Sequence, residues 1–183
     1  MLKKLKIYSD LKKLFKNKKE ILDILIFGSI IKGKSNPKDI DICIIFRENI
    51  DINLIKELNK KFEDVHFSTL IADNFFTKPH ALIKTLLFEG ISIKTGKELS
   101  KVYGMNAYAL YSYNITKLSN SKKTRFVYLL KGRKGENGIV KDFKGEFITN
   151  AAFIIPVEKD YEMIEIFNSW EVPFNRKKIM TIN

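Results

Sequence analysis

The sequence predicts an α+β fold in two parts, and three observations carry that prediction. Strand-length apolar runs rich in isoleucine stand at 21–27 and 40–46. Segments with helical spacing of apolar residues alternate with them, and the periodicity lapses between Gly96 and Gly104. A chain of 183 residues with 45% hydrophobic and 12% aromatic content can bury a substantial core and does not belong to the disordered class.

Taken in order, Ser9-Asp10 starts a helix running through Lys18, with Leu11, Leu14 and Phe15 on one side. The strands 21–27 and 40–46 follow. Asp51 caps a helix over 52–62 whose Ile55, Leu58 and Phe62 form an apolar stripe. A strand at 64–71 comes next, then a helix opened by Pro79 and ended after Glu89 by Gly90. His80, near that helix start, reads as a packing or capping residue. A short strand over 91–94 completes a first domain, residues 1–97.

A second domain, 104–183, reads as a smaller helical and β unit. Helices are predicted over 105–118 and 121–131, separated by Ser119-Asn-Ser121. Tyr108, Tyr111 and Tyr113 could stack bases, but at helical spacing the core reading is favoured. The basic glycine loop 130–138 contains Lys131, Arg133 and Lys134. These could follow a nucleic-acid backbone, and a solvated connection explains them equally well. A hairpin is predicted from 139–143 and 146–149 around Lys144-Gly145, followed by a buried strand at 151–157. A helix over 158–170 and a last strand over 172–182, with Arg176-Lys177-Lys178, finish the chain.

The residues that bear chemistry lie between the first two strands. Side chains alternate along a strand, so Asp39 and Asp41 face one side and Ile40 and Ile42 the other. Adjacent carboxylates repel, and a divalent cation removes that repulsion; magnesium prefers one or two carboxylates together with phosphate oxygens. Two Mg2+ ions could clamp the attacking and leaving oxygens of a phosphoryl displacement. Gly28 lets backbone approach a phosphate, and Ser29 can cap the following turn, whose N–H groups favour an anion. Lys32 and Lys34 add positive charge where a triphosphate would lie.

This Gly28-Ser29, nine-residue spacer and Asp39-Ile-Asp41 arrangement resembles the signature of the DNA polymerase β-like nucleotidyltransferase superfamily, in particular its minimal archaeal and bacterial members. Leu87-Phe-Glu-Gly-Ile91 is similar to that family's closing segment, so the resemblance covers roughly the first half of the chain. It implies a short mixed sheet flanked by helices and transfer of a nucleoside monophosphate from a nucleoside triphosphate. It also implies a third metal-binding carboxylate on a later strand. The aligned position here is His66, while Asp64, two residues earlier, shares its face and would reach the metals after a small register shift. On this reading Asp39, Asp41 and Asp64 are catalytic, Asp39 and Asp41 bind metal, and Gly28, Ser29, Lys32 and Lys34 hold the nucleotide. A partner protein as acceptor is compatible with the motif, because minimal members resemble antitoxins that transfer AMP to a toxin.

Charge points to a polyanionic acceptor. Lys+Arg 33 against Asp+Glu 21 leaves a formal net charge of +12, which favours contact with RNA. The alternative from another class is a catalytically degenerate nucleotidyltransferase scaffold that binds nucleic acid. The single cysteine, Cys43, excludes an intrachain disulfide and reads as a buried small hydrophobe. No apolar run approaches the roughly 20 residues that span a bilayer. The start lacks the features of a secretory signal, so the expectation is a cytoplasmic protein without a membrane partner.

Overall fold

The computed structural model describes residues 6–31, 39–78 and 81–182. Lys32 and Lys34, and the predicted helix start at Pro79 and His80, lie outside the described residues. Two compact units make up the chain, the first ending at Gly104 and the second beginning at Met105.

In the first unit, α1 (Lys6–Asn17) precedes β1 (Ile21–Phe27) and β2 (Ile40–Phe46). Helix α2 (Ile52–Lys61) then crosses over to β3 (Val65–Ile71). Helices α3 (Ala72–Thr77) and α4 (Ala81–Glu89), strand β4 (Ile91–Ser92) and helix α5 (Leu99–Val102) complete the unit. The sheet has the order β3-β2-β1-β4 and is mixed: β2 and β3 run parallel, and β1 is antiparallel to both its neighbours.

Both faces of the sheet are covered, which is why its central strands read as unbroken apolar runs. Ile24, Ile26, Ile42, Ile44 and Phe46 pack with Leu11 of α1 and Leu54 and Leu58 of α2. On the opposite face Leu25, Phe27, Cys43 and Ile45 meet Leu86 and Leu99. A register shift between Ile21 and Asp23 lets Ile21 and Ile24 reach the same core. Helix α2 starts where its cap predicts, with the Leu54 N–H donating to the Asp51 carboxylate at 3.0 Å.

Cys43 is fully buried, and burial pushes its thiol up to about 12. A thiol held protonated is a poor nucleophile. Cys43 is therefore expected to resist iodoacetamide at pH 8 in the folded protein and to react completely in denaturant, as followed by mass spectrometry. Labelling of the folded protein at the denatured rate would contradict this burial.

The second unit is built on an antiparallel sheet of order β6-β7-β5-β8. Its elements are β5 (Met105–Tyr113), α6 (Asn120–Lys131), α7 (Ile139–Asp142), β6 (Glu146–Thr149), β7 (Ala152–Pro156), α8 (Asp160–Trp170) and β8 (Phe174–Ile182). Two expectations are corrected here. The predicted helix over 105–118 is instead the central strand β5: Ala107, Ala109, Tyr111 and Tyr113 are buried at a period of two. Tyr108 and Tyr111, three apart, mimic a helical stripe, but Tyr111 and Tyr113 share the core face.

The predicted strand over 139–143 is the short helix α7, so the hairpin around Lys144-Gly145 does not form. Gly138 caps α7, and Val140 enters the core. A Cβ at Gly145 would press into the Ile154 carbonyl, so a glycine is required where the chain turns from α7 into β6. The hairpin that does form joins β6 to β7, and the loop 132–138 connects two helices.

Tyr111 organises this second core. Its ring stacks on Phe153 and Phe167 with centroids 5.4 and 5.6 Å away. Its hydroxyl donates to the Asp160 carboxylate at 2.6 Å, and the other carboxylate oxygen receives Arg176 at 3.0 Å. Burial first, and then the neighbouring Asp160, hold the Tyr111 hydroxyl far above the usual tyrosine range.

Candidate active site

Three strand ends meet at one corner of the first sheet. Antiparallel pairing sets Phe27, the last residue of β1, against Asp41. Parallel pairing sets Asp41 against His66, in a register that runs without a shift from Ile40↔Val65 to Phe46↔Ile71. Gly28 follows directly and turns the chain away at φ +83°, in the left-handed region.

Gly28 is fitted to Asp41. A Cβ at position 28 would overlap the Asp41 carboxylate, so the absent side chain makes room for the acid. Sequence reasoning assigns this glycine to phosphate approach alone; its contact with Asp41 depends on strand register and has no local signal. Ser29 lies in the turn that follows, where the Ile31 N–H donates to the Gly28 carbonyl at 3.2 Å. Ile30 and Ile31 are buried and anchor that turn to the core.

Gly28→Ala is expected to lower stability by about 1–3 kcal/mol, because the new methyl meets both a positive φ and a carboxylate. Urea unfolding measures this, and an unchanged midpoint would contradict the tight fit.

Asp41 is partly screened, with its side chain 29% exposed, and Asp39 is exposed immediately before β2. His66 stands beside Asp41, its Nδ1 3.7 Å from Asp41 Oδ1, and its side chain is 69% exposed. Asp64 is placed differently. It is exposed in the turn before β3, and its carbonyl accepts the Ile40 N–H at 3.0 Å. It borders a groove with Ile7, Ile40, Phe62 and Val65, so in this register His66 and not Asp64 is the neighbour of Asp41. Among the described residues no three His, Cys, Asp or Glu side chains converge as a metal-holding group. The donor pair Asp39 and Asp41 still suits a hard cation, which takes one or two carboxylates and completes its shell with water and phosphate oxygens.

The cations predicted to meet nucleic acid lie in the second unit and are partly engaged. Lys131 donates to the Asn150 side chain at 3.2 Å and lies 5.1 Å from the Phe147 ring centroid. Arg133 covers the ring of Tyr128 at 4.9 Å, and Lys134 turns the loop at φ +50°. Gly132 and Gly138 hold the loop closed, since a Cβ at either would strike the backbone of the opposite arm. Among the described residues no helix is long and apolar enough to cross a membrane.

Residues 9–98 match the model of a family described as polymerase beta, nucleotidyltransferase. A solved structure described as "Crystal structure of the toxin-antitoxin with AMP-PNP" is similar at 21% identity, covering 49% of this chain and 73% of that one with a TM-score of 0.37. No curated protein matches the sequence.

Proposed function

We propose, for a chain whose residues 9–98 form a polymerase β-type nucleotidyltransferase domain, transfer of a nucleoside monophosphate from a nucleoside triphosphate to an RNA hydroxyl. The observation that carries this reading is the fit of Gly28 to the Asp41 carboxylate at the corner where β1, β2 and β3 meet. An ordinary turn has no need to bring a left-handed glycine against an acid.

Asp39 and Asp41 would hold Mg2+. When bound, the metal supplies neutralisation of the phosphate charge and fixes the phosphate oxygens. The backbone of Gly28 and Ser29 would cradle the β- and γ-phosphates, with Lys32 or Lys34 adding charge. The acceptor oxygen attacks the α-phosphorus in line, the bond to the oxygen bridging to the β-phosphate breaks, and pyrophosphate leaves. The acceptor proton passes to a carboxylate oxygen at this strand end. Rate enhancement comes mainly from positioning and charge neutralisation.

RNA is favoured as acceptor by the net charge of +12. The second unit, with Lys131, Arg133 and Lys134, would then serve recognition. Incubation with magnesium, each α-labelled nucleoside triphosphate and bulk RNA tests this, beside a parallel reaction with host-cell lysate. Label on RNA supports the reading. Label on a discrete protein alone would move the acceptor from RNA to a partner protein.

A further inference from the structure

We propose that His66 is the third ligand of the divalent-cation site at the start of β2, shifting its preference from magnesium toward a first-row transition dication such as Mn2+. This inference rests on the nucleotidyltransferase reading above and concerns which ion that site selects.

The unshifted parallel register brings His66 alongside Asp41 at the ends of adjacent strands. The two donor atoms are 3.7 Å apart, too far for a good hydrogen bond. A single ion bridges such a span readily when each donor sits roughly 2.0–2.2 Å from it. The imidazole is 69% exposed, so core packing does not demand a histidine there. By contrast, the next residues on the two strands, Ile42 and Phe67, pair in the apolar core. The chain therefore presents a nitrogen donor at the one position of β3 that flanks Asp41.

Donor chemistry then sets the selectivity. Magnesium demands near-ideal octahedral oxygen coordination and is reluctant to lose water. First-row transition ions bind imidazole nitrogen together with carboxylate oxygen, and their affinity for mixed N/O sites exceeds that for an all-oxygen set. Replacing a third carboxylate by imidazole also removes one negative charge, which weakens the hold on magnesium most.

The test is direct metal binding to the full chain, with Mn2+ followed by electron paramagnetic resonance and Mg2+ by competition. His66→Ala should weaken Mn2+ binding by at least about tenfold and Mg2+ binding by less than about threefold. His66→Asp should reverse the ranking in favour of Mg2+. Thermal melting confirms that these surface variants fold. If His66→Ala leaves the Mn2+/Mg2+ ratio unchanged while Asp41→Asn abolishes binding of both ions, His66 is not a ligand. The carboxylate site itself then stands. If Asp41→Asn also leaves both affinities unchanged, the ligand assignment and the metal site of the proposed function fall together.

Discussion

Converting Asp39 and Asp41 to Asn is expected to reduce nucleotidyl transfer by at least about a thousandfold, close to 4 kcal/mol of transition-state stabilisation. Asparagine keeps the shape of each side chain and removes the charge that would hold a cation against the triphosphate. Stability should hardly move, because Asp39 is exposed and the neighbouring His66 lies 3.7 Å from Asp41. RNA affinity should be unchanged or slightly higher, since two negative charges leave a basic protein. Transfer rates, melting curves and RNA titrations on the same variant separate these effects. Loss of transfer with unaltered melting and RNA binding is the expected pattern. A scaffold that only binds nucleic acid would give no transfer in either form.

The largest expected effect on stability lies in the second unit. Asp160 is 1% exposed at the start of α8, and its carboxylate receives both the Tyr111 hydroxyl and the Arg176 guanidinium. Asp160→Ala should cost about 3 kcal/mol, combining loss of a charged acceptor in the core with a guanidinium deprived of its partner. Tyr111 would keep only the Asp160 main-chain carbonyl, 3.0 Å from its hydroxyl. The Arg176 side chain is 35% exposed and can turn toward water, which keeps the cost below that of a wholly buried pair. Tyr111→Phe should cost about 1 kcal/mol, since it removes one hydrogen bond and preserves the stacked ring. Trp170 packs against this core, and its fluorescence during urea unfolding reports the transition. A cost below about 1 kcal/mol for Asp160→Ala would mean that the triad does not hold the unit together.

Much of the first unit was legible in the sequence because its central strands are buried on both faces. Continuous apolar runs marked β1 and β2 to their observed ends, and Asp51 located the start of α2. The second unit was harder to read. Strand β5 carries tyrosines at positions that satisfy both a period of two and a spacing of three, and only pairing with β7 and β8 decides between them. Helix α7 contains Ile139 and Val140, which favour strands locally, but tertiary packing of Val140 overrides that preference. At the candidate site, the motif named Gly28, Ser29, Asp39 and Asp41. What it left hidden was pairwise: that Gly28 accommodates the Asp41 carboxylate, and that an unshifted register makes His66 its neighbour and leaves Asp64 in the turn before β3. Both follow from strand register, which no short segment encodes alone.

The central claim is attack at the α-phosphate of a nucleoside triphosphate, and the position of the label tests it most directly. Parallel reactions with α-labelled and γ-labelled nucleotide, divalent metal and RNA should place α-label on the acceptor and release γ-label as pyrophosphate. Both outcomes should vanish with Asp39→Asn/Asp41→Asn. Retention of both labels in intact triphosphate, with RNA binding undiminished, would contradict the account and leave a binding scaffold in its place.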